Sequence, residues 1–103
     1  MKTVTVCGSM KFEKEMKEIA FILETKYDMN VLQCVYNEGK LNLSKDKIIA
    51  LNSAHLKKIE LSDSIYVVNI KGYTGSQVKK EIKFAQSLGK EVIFHTEFFR
   101  NVN

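Results

Sequence analysis

One stretch of the chain is apolar at almost every position, and it limits the possible folds more than any other feature. Residues 65–70 read Ile-Tyr-Val-Val-Asn-Ile. β-Branched and aromatic residues favour strands, and a nearly continuous apolar run is typical of a parallel strand that is buried on both faces. Such a strand needs helices above and below the sheet, so the run predicts an α/β fold.

The remaining segments alternate in the way that a parallel sheet requires. Short β-branched runs alternate with longer segments in which apolar residues recur every three or four positions. We therefore expect one doubly wound α/β domain over residues 1–103, with the strand order 2-1-3-4. The predicted strands are residues 3–7, 31–35, 65–70 and 91–94, and the predicted helices are residues 10–26, 44–61, 76–88 and 96–100.

The composition argues against two classes of partner. No apolar run reaches the ~20 residues of a membrane span, and the first residues lead directly into a strand, so we expect a cytoplasmic protein that binds no membrane. The formal charge is +4, but Arg100 is the single arginine and the lysines are interleaved with glutamates. This pattern favours a solvated surface over binding of a nucleic acid polymer. One nucleotide phosphate is still compatible with the excess positive charge.

The cysteines and histidines are few and widely spaced. Cys7 and Cys34 do not make a disulfide framework in a cytosolic chain, and we interpret both as buried strand residues. A zinc site needs about four ligands at characteristic spacings. Cys7, Cys34, His55 and His95 show no such spacing. We therefore expect neither a metal nor a cofactor.

Two glycine–serine turns stand where a ligand would bind in such a sheet, outside the carboxyl ends of the strands. Gly8-Ser9 follows the first predicted strand, and Gly75-Ser76 begins the third predicted helix. Helix N-termini attract phosphate and carboxylate groups, although the same dipeptides also fit plain helix capping. Neither loop matches a dinucleotide fingerprint or a phosphate loop. The candidate binding residues are Gly8, Ser9, Met10, Lys11, Asn69, Gly72, Tyr73, Thr74, Gly75 and Ser76.

Glu81 and His55 interrupt the apolar faces of two predicted helices. A carboxylate on such a face costs free energy unless it is paired, hydrogen-bonded or protonated, or extends from the rim to water. His55 points either into a cleft or into the core as a histidine bonded to backbone. Glu81 also lies close to the glycine loop, where a carboxylate could attack or stabilise a sugar C1′. The predicted inward positions are Ile48, Leu51, His55 and Ile59 on the second helix and Val78, Ile82, Ala85 and Leu88 on the third.

Several short motifs together resemble the nucleoside 2-deoxyribosyltransferase superfamily. They are residues 4–11 (Val-Thr-Val-Cys-Gly-Ser-Met-Lys), Ser62-Asp63 before an apolar strand, Glu81-Ile82 after a glycine loop, and residues 88–90 (Leu-Gly-Lys). Within the superfamily, the chain is similar to small single-domain 2′-deoxynucleoside 5′-phosphate N-hydrolases. The resemblance implies a flavodoxin-like or Rossmann-like three-layer sandwich with a parallel sheet of four or five strands, usually in a homodimer.

The resemblance also implies a function. Glu81 would be the nucleophile that cleaves or transfers the N-glycosidic bond of a nucleoside or nucleoside 5′-monophosphate, while the two glycine turns hold the sugar and the phosphate. Two positions depart from the pattern, since Thr5 replaces an aromatic hydroxyl and His55 replaces a second acid. With an unperturbed pKa of ~6.5, His55 could give a proton to the leaving base. The alternatives are a nucleotide-binding module without turnover and a structural subunit.

Overall fold

The structure is a computed structural model that describes residues 1–102, with side chains placed for residues 1–99. Strands and helices alternate along the chain, as the sequence pattern predicts. Short 3₁₀ turns occupy Met10–Phe12 and Ile70–Gly72. In chain order the elements are β1 (Lys2–Gly8), α1 (Glu13–Lys26), β2 (Met29–Leu32), α2 (Lys45–Leu61), β3 (Ser64–Val68), α3 (Ser76–Ser87), β4 (Glu91–Phe94) and α4 (His95–Val102).

The four strands form one parallel sheet in the order β2-β1-β3-β4, which confirms the predicted topology. β3 lies inside the sheet between β1 and β4, and all five of its residues are buried. The nearly continuous apolar run of the sequence is therefore the strand that is covered on both faces. The structure ends β3 at Val68, two residues earlier than predicted, because the chain turns at Ile70–Gly72.

The helices cover both faces of the sheet and make a three-layer sandwich. Val4 and Val6 of β1 pack against α1 in one core, with aromatic side chains of α4 beside them. Cys7, the next residue after Val6, points to the opposite face and packs with α2 and α3 in a second core. The alternation of β1 side chains thus assigns α1 and α4 to one face and α2 and α3 to the other.

The prediction for β2 was wrong at both ends, by two residues at the start and three at the finish. The strand covers Met29–Leu32 rather than residues 31–35, and it pairs with β1 only from Met29 to Leu32. The Gln33 carbonyl instead accepts a hydrogen bond from the Lys58 ammonium of α2 at 2.7 Å. Cys34 consequently lies outside the sheet and is only half-buried, so its interpretation as a buried strand residue was also wrong.

The predicted inward stripes fail near one end of each helix. Ile48 is 45% exposed near the start of α2, and Leu88 is 44% exposed after the end of α3. His55 and Ile59 are the fully buried residues of α2. In the N-terminal half of α2, Ile48 and Ile49 are exposed. Within residues 1–102, no helix combines the length and apolar character needed to cross a membrane.

Truncating Ile59 is expected to destabilise the protein strongly. Ile59 is fully buried in the core between α2 and the sheet, whereas Leu61 on the same helix is 66% exposed. Ile59→Ala should lower the free energy of unfolding by about 2–5 kcal/mol through lost burial and a residual cavity. Leu61→Ala should change it by less than about 0.5 kcal/mol. Urea unfolding of both variants measures the difference, and equal effects would contradict the described core.

Candidate functional site

A cavity of about 430 Å³ opens at the carboxyl edge of the sheet, between the turn after β1 and the start of α3. Its size is within the range of small-molecule sites. The N-terminal half of α2 and the segment after β2 close its other side. This is the edge of the sheet at which the doubly wound topology predicts ligand binding. Apolar side chains form much of its wall, namely Val6, Met10, Met16, Val35, Leu43, Ile48, Leu51 and Val78.

The structure brings most of the predicted site residues to this cavity. The turn after β1 and the start of α3 face each other across it, although they are far apart in sequence. Among the predicted residues, those that line the cavity are Gly8, Ser9, Met10, His55, Tyr73, Gly75, Ser76 and Glu81, and those that do not are Lys11, Asn69, Gly72 and Thr74.

Asn69 has a structural role instead. Its amide group donates to the Thr96 hydroxyl at 3.2 Å, and its carbonyl oxygen accepts from the Thr96 backbone N–H at 3.2 Å. This pair of bonds ties the end of β3 to α4. A polar residue at the carboxyl end of a strand is thus used to fix a neighbouring helix rather than to contact a ligand.

Lys11 and Tyr73 join the two loops at the cavity mouth. The Lys11 ammonium lies 3.5 Å from the centre of the Tyr73 ring, and the Phe12 ring meets Tyr73 edge to face at 5.9 Å. Cation–π and edge-to-face contacts of this kind are attractive. They hold the half-exposed Tyr73 ring at the rim of the cavity.

Glu81 is buried at the cavity and does not extend to water. The residue is 6% exposed, and its Oε2 accepts a hydrogen bond from Gln77 Nε2 at 3.3 Å. The rim interpretation of this carboxylate was therefore wrong. Burial raises the pKa of the Glu81 carboxyl, while hydrogen bonds from Gln77 and Cys7 act in the opposite direction. Among the residues that the structure describes, Glu81 is the only acidic side chain that lines the cavity.

His55 faces Glu81 across the junction of α2 and α3. Its Nε2 lies 3.5 Å from Glu81 Oε1 and 3.4 Å from Cys7 Sγ. Nδ1 is buried without a hydrogen-bond partner in the described part of the chain, so the alternative of a core histidine bonded to backbone was wrong. Burial, aided by the Lys58 charge, lowers the pKa of His55 to about 4. The imidazole is therefore neutral at pH 7.

Sequence reasoning missed the contact that Cys7 makes with His55 and Glu81. Its burial in β1 is confirmed, but its Sγ also lies beside His55 and the Glu81 carboxyl. Burial and the nearby Glu81 charge raise the pKa of the Cys7 thiol well above its usual range. The only sequence signal was that Cys7 immediately precedes the Gly8-Ser9 turn. Polar cavity residues that were also missed are Cys34, Asn52 and Gln77.

Thr5 does not belong to the cavity. It is buried two residues before Cys7, and its hydroxyl donates to the Lys58 carbonyl at 3.0 Å and contacts the Ser62 hydroxyl. The side chain therefore bonds β1 to the end of α2.

Comparison with known proteins supports the fold and no more. No protein-family model and no curated protein matches the chain. A similar solved structure is the crystal structure of a conserved protein from Enterococcus faecalis V583, with 14% sequence identity and a TM-score of 0.64. The match covers 91% of this chain but only 62% of the length of that protein. At this identity the likeness shows a shared architecture alone.

His55 is expected to make the protein lose stability in acid. The native pKa of about 4 lies below the usual value of 6.5, so between these pH values only the unfolded chain takes up this proton. Wild type should therefore lose about 3 kcal/mol more than His55→Gln between pH 7 and pH 4, at about 1.4 kcal/mol for each pKa unit. Denaturant unfolding across this range measures the loss. The surface variant Glu60→Gln should follow wild type, and parallel curves for wild type and His55→Gln would contradict the described burial.

Proposed function

We propose that the protein cleaves or transfers the N-glycosidic bond of a nucleoside or nucleoside 5′-monophosphate, with the Glu81 carboxylate as nucleophile. The observation that carries the proposal is a single buried carboxylate in a cavity of ligand size, next to a helix N-terminus. Attack on an anomeric carbon needs a negative group held close to it. The apolar side chains of the cavity wall strengthen that electrostatic attraction.

The chemistry proceeds in two displacements. A Glu81 oxygen bonds to C1′ of the sugar while the C1′–N bond breaks, and the bonding electron pair leaves with the base, which takes up a proton. Water then attacks C1′ of the glycosyl ester and restores the carboxylate, or a second base attacks and gives a transferred nucleoside. A mechanism with two carboxylates is less compatible with the cavity, because no other acidic side chain of the described residues lines it.

The substrate class is supported by the groups around Glu81. Gly75 is the N-cap of α3 and makes no side-chain hydrogen bond to the helix. The free N–H groups at this end and the helix dipole therefore favour a phosphate. Ser76 adds a hydroxyl on this side of the cavity, and Ser9 adds one on the opposite side. The Tyr73 ring at the mouth offers a flat surface for a base to stack on.

His55 has a positioning role in this proposal. As a neutral imidazole, it can donate one hydrogen bond from Nε2 to the nearby Glu81 oxygen. Gln77 donates to the other oxygen. Two donors on one carboxylate favour its charged form and fix its orientation. The proton for the leaving base then comes from solvent or from the substrate complex rather than from a His55 imidazolium.

Membership of the nucleoside 2-deoxyribosyltransferase superfamily is part of the same proposal. It is supported by the motifs of the sequence and by the agreement of the fold with the expected parallel sandwich. A homodimer and a cytoplasmic location follow from the resemblance and remain predictions. Exposed apolar side chains near the cavity, including Val35, Ile48 and Ile49, are compatible with a second copy at this edge.

Replacing Glu81 should abolish turnover. Wild type incubated with a panel of nucleosides and nucleoside monophosphates is expected to release free base, detected by chromatography. Glu81→Gln should lower the rate by at least about 1,000-fold, as removal of a nucleophile does in other enzymes. The matched control Glu60→Gln removes an exposed carboxylate of α2 and should keep the wild-type rate. Acid-quenched wild type should carry a sugar adduct on the Glu81 peptide. Equal rates in Glu81→Gln and wild type would refute the nucleophile.

The second candidate function is a nucleotide-binding module without turnover. It is favoured by one observation, namely that burial works against the ionised Glu81 that a nucleophile requires. In that case nucleotides stabilise the fold without losing their base.

Thermal unfolding distinguishes the two candidates. A bound nucleotide at about 100 times its dissociation constant should add ~2.7 kcal/mol to the free energy of unfolding. Stabilisation of wild type with intact nucleotide recovered afterwards supports the binding module. If no nucleotide shifts the melting temperature at millimolar concentration and no base is released, both candidates are excluded.

A further inference from the structure

We propose that Cys7, His55 and Glu81 together bind a thiophilic divalent cation such as Zn²⁺, with one coordination position open to the cavity. The three side chains come from three different elements, β1, α2 and α3, and all three residues are buried. Their ligand atoms lie within 4.8 Å of one another. The binding claim is independent of the proposed glycosidase activity, although both use the same carboxylate.

The distances agree with a tetrahedral site. Zinc bonds of about 2.0–2.3 Å to nitrogen, oxygen and sulfur place neighbouring ligand atoms roughly 3.4–3.6 Å apart. The His55 Nε2–Cys7 Sγ distance is 3.4 Å, and the His55 Nε2–Glu81 Oε1 distance is 3.5 Å. These two edges of the tetrahedron are therefore already present, and the third pair, Cys7 Sγ and a Glu81 oxygen, lies within 4.8 Å.

The charges also favour a cation. Among the described residues, no lysine or arginine forms an ion pair with the buried Glu81 carboxylate, and the neighbouring His55 imidazole is neutral at pH 7. On binding, Zn²⁺ displaces the proton of the Cys7 thiol, which leaves to solvent, and a metal–sulfur bond forms. The resulting thiolate and carboxylate offset the two charges of the cation, so a neutral unit replaces a costly buried carboxylate.

The ligand types select the metal. Sulfur and imidazole donors favour Zn²⁺ over Mg²⁺ and Ca²⁺, which prefer oxygen ligands. Cys7 is fully buried, whereas His55 and Glu81 line the cavity. The fourth position therefore points toward the cavity, where a water molecule or a ligand atom completes the coordination. Three protein ligands and one open position form the arrangement of accessible zinc sites.

Cation binding would also regulate the proposed reaction. A Glu81 oxygen bonded to Zn²⁺ is no longer free to attack C1′, so the metal-bound protein should not release base. This consequence rests on the proposed function, while metal binding does not.

Cobalt provides a direct test of the site. Co²⁺ titrated into the full chain should bind at one equivalent and produce a thiolate-to-cobalt charge-transfer absorption in the near ultraviolet, and Zn²⁺ should displace it. Cys7→Ser should remove this absorption and weaken Zn²⁺ binding by about 100-fold or more. The matched control Cys34→Ser should keep both the thiolate absorption and the wild-type affinity for Zn²⁺. Glu81→Gln and His55→Gln should weaken binding without removing the thiolate absorption, and circular dichroism should confirm that each variant is folded.

The outcomes separate the two proposals. Absence of a thiolate band, or its loss in Cys34→Ser but not in Cys7→Ser, overturns the metal site. If Co²⁺ binds as expected but no base is released after removal of metal by a chelator, the metal site stands and the glycosidase proposal fails. If base is released and added Zn²⁺ does not inhibit it, the shared use of Glu81 is refuted. Inhibition of base release by Zn²⁺ that a chelator reverses supports the shared use of Glu81.

Discussion

All five residues of β3 are buried, and the strand supplies hydrogen bonds to β1 on one side and β4 on the other. Helices must therefore cover both faces of the sheet, because bare apolar faces would be exposed to water. With both faces covered, the carboxyl edge is where space for a ligand remains. The connections after β1 and β3 leave this edge toward opposite faces, and the cavity lies where they diverge.

The polar groups at this cavity are costly, and their arrangement limits the cost. Cys7, His55 and Glu81 are each desolvated. Burial raises the pKa of Cys7 and Glu81 and lowers the pKa of His55, so that the neutral form of each side chain is favoured. Their mutual contacts and the Gln77 amide recover part of this free energy. In the two proposals made above, Glu81 is either a free carboxylate that attacks a sugar or a ligand of a bound cation. The two proposals compete, because a carboxylate bonded to Zn²⁺ shares with the metal the negative charge that attack on C1′ requires.

The sequence predicted the fold well because strand and helix periodicities are local. Element order, parallel pairing and strand order agree with the structure, and β4 has the predicted bounds. The errors lie where a distant side chain decides the outcome. The Lys58 ammonium binds the Gln33 carbonyl just past the end of β2, and Thr96 binds the Asn69 amide that the sequence pattern assigned to a ligand. No local pattern encodes either contact.

By itself, the sequence determined that Glu81 and His55 occupy inward helix faces and that two glycine–serine turns stand at one edge of a parallel sheet. Only the tertiary structure decided that the two inward faces meet and that Cys7 lies beside both side chains. It also decided that His55 is neutral, because the pKa depends on how completely water is excluded. The physical reason is that periodicity tells which face of an element is buried, whereas packing decides which residues of other elements it touches.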